Sequence, residues 1–255
     1  MTQFNKWCTV VTTPVAGWKL TVLTALAGKI DLAVKAVSGA IPAQYTSEHR
    51  LADIMKKLGK AKTAKFIETS LPTSKSVRSG DLGEVLGVTY LAESTEFKLY
   101  VKRLRWKDHR NMAMRGEDVL AFAVNDDGNL LVLKGEAKSR KTLNATTITN
   151  ARTSLAANIG RPSAHAMAFM ATRYFEMGDK AMTDLIDRAQ LDEQIPEDRV
   201  THMIFILSGN DPTKQLTKDL LTYKGAIRQM SVGVVVATHQ EFIESVFEEA
   251  LESVL

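Results

Sequence analysis

Apolar and polar positions alternate through Leu130-Leu131-Val132-Leu133-Lys134-Gly135-Glu136-Ala137-Lys138. That period predicts a strand with Lys134, Glu136 and Lys138 on one face and Leu131 and Leu133 on the other. Upstream, Asp118-Val119-Leu120-Ala121-Phe122-Ala123-Val124 reads as a second strand, and Asn125-Asp126-Asp127-Gly128-Asn129 between the runs is rich in residues that accept tight-turn dihedrals. The two runs should pair as a hairpin, which would bring Asp118 beside Glu136 and Lys138 at one end of a sheet.

Helical spacing predicts several further elements. Leu82, Val85, Leu86, Thr89 and Tyr90 recur on one face, as do Leu51, Ile54, Met55 and Leu58 before Gly59 in the stretch 47–69. Residues 143–159 form a helix pattern that stops at Gly160-Arg161-Pro162, and 164–190 are helix-rich, with methionines suited to adaptable packing. Val200 to Leu207 and Val232 to Ala237 read as buried strands around a helix entered at Asp211-Pro212, a βαβ signature. Phe242, Ile243, Val246, Phe247, Ala250, Leu251 and Val254 make a final apolar stripe on an otherwise acidic helix, whose charged face either stays solvated or docks a partner. Over residues 1–45 the pattern does not separate strands from short helices. The expected fold class is α/β: a mixed central sheet flanked by helices, with residues 1–75 as an N-terminal accessory region. Residues 76–255 would form the main domain, with a helical insertion near 163–191 and a C-terminal βαβα extension.

A chain of 255 residues with 45% hydrophobic content can bury a substantial core. The single cysteine, Cys8, excludes an internal disulfide and a thiolate zinc site and fits a reducing, cytoplasmic setting. Five scattered histidines lack metal-site spacing. The apolar stretches near the start are broken by Lys6, Pro14, Lys19 and Lys29 before a bilayer span is reached, so no membrane helix is expected. Neither an internal repeat nor a Gly-rich loop with lysine that would mark an ATPase is present.

The net charge of +4 is modest, but its distribution is uneven. Lys98, Lys102, Arg103, Arg105, Lys107, Arg110 and Arg115 crowd the approach to Asp118, a natural track for DNA phosphates, with Trp106 and His109 available to stack on bases and Arg152 available from the helix after Lys138. The competing explanation is a solvated basic edge with Trp106 half-buried.

The hairpin residues suit one chemistry. Mg²⁺, or Mn²⁺ in its place, takes oxygen ligands and keeps waters, one of which can become a nucleophile. Asp118, Glu136 and the Ala137 carbonyl could hold such a cation, and Lys138 could position water or offset charge on a phosphate. An isolated Glu-x-Lys is commonly a solvated strand face, and the hairpin context is what lifts this one above that background. Glu84 opens the helix at 80–91 as a further acid, unless Asp81 and Glu84 form a capping box there. Glycines 80, 83 and 87 are costly in that helix, by up to about 1 kcal/mol each relative to alanine, which points to close packing or close substrate approach.

Taken together, three stretches resemble a known family. Leu71-Pro72-Thr73-Ser74-Lys75 leads into Ser79-Gly80-Asp81-Leu82-Gly83-Glu84; Trp106-Lys107-Asp108-His109-Arg110-Asn111-Met112-Ala113-Met114-Arg115-Gly116-Glu117-Asp118 comes next, and then Gly135-Glu136-Ala137-Lys138-Ser139. They resemble the PD-(D/E)xK nuclease superfamily and, more closely, the HamA nuclease subunits of Hachiman anti-phage defence systems. The resemblance spans roughly residues 70–160. It implies that Glu84 is the acid of the first core helix, Asp118 the motif aspartate, and Glu136 with Lys138 the acid-x-lysine portion, with Glu117 standing in place of the motif's proline. The implied activity is Mg²⁺-dependent DNA endonuclease cleavage in a complex with a superfamily 2 helicase, HamB. A self-contained restriction or junction-resolving nuclease, and a DNA-binding or helicase-anchoring subunit that does not cut, stay open as alternatives.

Overall fold

The computed structural model describes residues 2–98, 101–114, 116–192 and 194–252. Two hairpins and two crossovers build a single sheet. The first hairpin is β1 (Cys8–Val15) with β2 (Trp18–Ala25), turned at Ala16 and Gly17, both at positive φ. Helices α1 (Ile30–Ser38), α2 (Ile41–Tyr45), α3 (Glu48–Ser70) and α4 (Lys75–Ser94) come next. The second hairpin is β3 (Val119–Val124) with β4 (Leu130–Arg140), and it is closed by the predicted turn, in which Gly128 takes φ 77°. Then come α5 (Ala145–Ala156), α6 (Ala164–Glu176), α7 (Lys180–Leu191), β5 (Val200–Ser208), α8 (Thr213–Thr222), β6 (Arg228–Val235) and α9 (His239–Glu252). Val254 and Arg115 lie outside the described residues.

The strand order is β1-β2-β6-β5-β4-β3. The four inner strands run parallel, and β1 and β3 add antiparallel at the two edges. β5 is buried along its whole length, as a parallel strand covered on both faces should be. Parallel pairing of β5 with β6 across α8 matches the βαβ reading. The segment expected as an accessory region supplies β1 and β2 to this same sheet, and β5 and β6 lie at its centre. The pattern over residues 1–45 is ambiguous because hairpin and helix residues there are equally apolar and small, and only β6 selects β2 as its neighbour.

Helices cover both faces. Leu82, Val85 and Leu86 of α4 pack with Leu133, Ala137, Phe205 and the apolar stripe of α9 in one core. On the other face Ile148, Ala151 and Leu155 of α5 meet Ile204, Ile206 and Leu216, while Met167, Met170 and Tyr174 of α6 lie against Leu120, Phe122 and Val132. Gly83 and Gly87 lie on the face that α4 turns to the sheet. A Cβ on Gly83 would sit 3.5 Å from Ser139 Cβ, and one on Gly87 would sit 3.4 Å from Phe205 Cγ. Both glycines therefore face the sheet, where an added Cβ would make ordinary van der Waals contacts.

A carboxylate and lysine cluster at the hairpin end

The site begins where pairing between β3 and β4 stops. Val119 faces Gly135, so the register extended by one residue sets Asp118 against Glu136. β4 runs on to Arg140, and its next inward amide on that edge needs an acceptor that no strand provides. Asp118 supplies it: the Ala137 amide donates to Asp118 Oδ2 at 3.0 Å. In an extended strand the N–H and C=O of one residue point to the same edge, so the Ala137 carbonyl turns toward the same opening.

Lys138 joins the two acids. Its Nζ donates to Glu136 Oε1 and lies 3.7 Å from Asp118 Oδ2. The predicted alternation of β4 holds here, since Lys134, on the same face, donates to the carbonyls of Leu155, Ala157 and Arg161 at the end of α5. Glu84 approaches Asp118 from α4, and the two line one small cleft with Arg103. Arg103 Nη1 is 3.9 Å from Glu84 Oε2. The capping-box explanation fails, because α4 starts at Lys75 and places Asp81 and Glu84 inside the helix. Asp81 is instead buried and accepts hydrogen bonds from Tyr45 Oη at 2.6 Å and Lys107 Nζ at 2.7 Å.

Glu117, the neighbour that could compete with Asp118, is engaged elsewhere. Its carboxylate accepts from the Ser163 amide at 2.6 Å and the Ser163 hydroxyl at 3.0 Å, at the start of α6. An anion there is favoured by the free amides and the helix dipole. Asp118 is thus the acid that faces Glu136 and Lys138.

The electrostatics of the cluster are strained toward protonation. Burial, and then the Asp118 charge, push the Glu84 carboxyl up to about 8. Burial also raises Asp118 against the pull of Lys138 and the Ala137 amide, and it raises Glu136 with help from Asp118. Burial would lower the Lys138 ammonium, but Asp118 and Glu136 outweigh it and raise it. Crowded, partly desolvated carboxylates of this kind are relieved by a cation, and their oxygens together with the Ala137 carbonyl are the donor chemistry that Mg²⁺ or Mn²⁺ accepts. Among the described residues no three acidic, histidine or cysteine side chains stand ready-made at metal-binding distance; Lys138 supplies the positive charge between Asp118 and Glu136.

The raised Glu84 carboxyl makes stability depend on pH. A carboxyl whose folded-state pKa lies above its unfolded value binds its proton more tightly when folded, so its contribution is present below about pH 4.5 and is lost as pH rises toward about 8. In metal-free buffer the melting temperature should fall by several degrees across that window, and less so in Glu84→Gln. Parallel melting curves for the two proteins at every pH would remove Glu84 from this role.

The expected basic track is divided by the fold. Arg105 donates to the Ala43 carbonyl at 2.8 and 3.1 Å, Lys107 is buried on Asp81, and Arg103 is buried against Glu84. Arg152 pairs with Asp219 at 2.5 Å and stacks over Tyr223. Lys102 lies 3.6 Å from the exposed Glu48, Arg110 Nη1 donates to the Glu68 carbonyl, and Trp106 and His109 are exposed. Nothing in local spacing links Arg103 to Glu84 or Tyr45 to Asp81, because the first pair is separated by the rest of α4 and irregular chain and the second by α3 and the start of α4. Glycines 83 and 87, one helical turn apart, mark the face of α4 that meets the sheet.

Fold and site together define a mixed α/β protein with an acid, acid-x-lysine constellation where a hairpin opens at the sheet end. The HamA family model matches residues 2–250, and the chain belongs to the HamA family. Hachiman protein HamA of Bacillus cereus is 26% identical over 230 residues, which cover 88% of this chain and 82% of that protein. Among the described residues no helix is long and apolar enough to cross a membrane, and the lone cysteine, Cys8, is free and buried.

Proposed function

We propose that this Hachiman-family chain is a metal-dependent DNA endonuclease of PD-(D/E)xK type, working with a superfamily 2 helicase. The observation that carries the reading is the meeting of Asp118 with Glu136, Ala137 and Lys138 through one hydrogen bond from the Ala137 amide and one shared ammonium. Glu84, Asp118, Glu136 and the Ala137 carbonyl would hold Mg²⁺ or Mn²⁺, which when bound supplies an acidified water and a Lewis acid at the phosphate. The Ala137 amide orients Asp118, and the rigid strand holds Glu136 and Lys138 two residues apart on one face. Lys138, released from the acids when another cation balances them, can meet charge growing on the scissile phosphate or orient the attacking water. Lys102 and Arg110 are the best placed of the basic residues to meet flanking phosphates, while Arg103, Arg105, Lys107 and Arg152 act through the scaffold.

The bridging position of Lys138 also favours a second reading, a DNA-binding subunit that does not cut. Plasmid cleavage in Mg²⁺ or Mn²⁺, with the helicase neighbour present, decides between the two. Glu136→Ala and Lys138→Ala should each lose cleavage; equal nicking by native and both variant proteins would reject the site, and no cleavage by the native protein would favour the second reading.

A further inference from the structure

Between α6 and the segment that precedes β3 lies a set of rings that the cleavage reading does not use. Arg173 of α6 sits with its guanidinium carbon 5.1 Å from the centre of the Trp106 ring and 5.3 Å from that of Phe169. Its Nη1 donates to Glu176, and its buried Nε has no hydrogen-bond partner among the described residues. Trp106 is 39% exposed, whereas Trp7 is fully buried. Phe169 in turn walls a cleft with Met114, Leu120, His165 and Arg103. Arg103 also lines the cleft of Glu84 and Asp118, and Glu117, which lines the Phe169 cleft, is the residue before Asp118. The apolar cleft and the cleft of Glu84 and Asp118 thus share Arg103 as a common wall.

A base inside a duplex hides both of its faces against its neighbours. Flat rings joined by a guanidinium recover free energy only from a base whose face is open, and they do so with little regard to sequence. An exposed tryptophan in a basic loop, stacked on arginine rather than sunk in the core, has the chemistry of such a platform. We propose that Trp106, Arg173 and Phe169 form a stacking platform for unpaired bases of single-stranded DNA, and that a strand lying on it presents its backbone to the Asp118 cluster. The substrate class then becomes unwound rather than intact duplex DNA. This deepens the nuclease reading and rests on it for the cutting step, but binding to the platform can be tested without cleavage.

The test uses the full chain in EDTA, where cutting cannot contribute. Tryptophan emission and fluorescence anisotropy are measured against a mixed-sequence DNA strand of about 20 nucleotides, the duplex of the same sequence, and the matching RNA strand. The single strand should quench emission more than the duplex does, and the quench should vanish in Trp106→Phe. Trp106→Ala and Phe169→Ala should each weaken single-strand binding by about tenfold, as expected for loss of one stacked base. RNA binding with the same quench supports the platform, since stacking does not read the sugar. Equal quenching by duplex, or wild-type affinity in both alanine variants, overturns it. Should Phe169→Ala prove misfolded by its melting curve, Trp106→Ala, at an exposed position, carries the comparison. Binding and quenching with no cleavage after Mg²⁺ and the helicase neighbour are added would sink the nuclease reading alone; cleavage without quenching would sink the platform alone.

Discussion

Asp118→Asn is expected to lower Mg²⁺-dependent plasmid cleavage by at least about 10²–10³-fold, the range seen when one preorganised electrostatic partner is removed from a reacting centre. Asparagine keeps an oxygen that can accept the Ala137 amide, so the end of the hairpin should stay closed. What it lacks is the charge that lies 3.7 Å from Lys138 and raises the carboxyls of Glu84 and Glu136. Two consequences separate a loss of chemistry from a loss of fold. The melting temperature at neutral pH should be unchanged or higher, because one buried negative charge is gone from among its like-charged neighbours. Stabilisation by added Mn²⁺, measured as a shift in melting temperature, should shrink with cleavage. Initial rates within about threefold of native on supercoiled plasmid would take Asp118 out of the site.

The second large effect lies one helical turn before Glu84. Lys107→Met should destabilise the protein by about 3–5 kcal/mol, because Asp81 would be left buried without its counter-charge. Both side chains of this pair are only 4% exposed, and the Nζ reaches both carboxylate oxygens, at 2.7 and 3.0 Å. Burial pushes the Asp81 carboxyl up even with Lys107 and the Tyr45 hydroxyl pulling it down, so removing the ammonium leaves little to hold the charge. Urea unfolding measures the loss. Adding Asp81→Asn to Lys107→Met should recover most of it, since the orphaned charge disappears with the carboxylate. A single-variant loss below about 1 kcal/mol would mean that the pair does not pin the loop to α4.

The hairpin site was legible in the sequence because its rules are local. A period of two assigns Lys134, Glu136 and Lys138 to one face whatever surrounds them, and a turn rich in asparagine, aspartate and glycine sets which residues of β3 and β4 meet. The helical repeat placed Leu82, Val85 and Leu86 against the sheet, although it began the helix about one turn late, because Ser74 and Lys75 give a weaker start than Asp81 and Glu84 suggest. Choices between neighbouring acids were not local. Glu117 and Asp118 look equivalent along the chain, and it took the start of α6, 46 residues away, to claim Glu117.

The basic residues show the same limit in reverse. Their crowding before Asp118 is a fact of sequence, but charge density does not say which cation a buried acid will take. Desolvation makes an unpaired carboxylate so unfavourable that Asp81 and Glu84 draw Lys107 and Arg103 inward, while Lys102 stays near the surface. From residue 47 onward the amino-acid sequence by itself determined the strands, the main helices and the acid, acid-x-lysine set, since these depend on periods of two and 3.6 and on turn dihedrals. Only the tertiary structure decided which charges cancel, that the first hairpin joins β6, and that Trp106 meets Arg173, because those pairings depend on burial shared between segments that have no short-range relation.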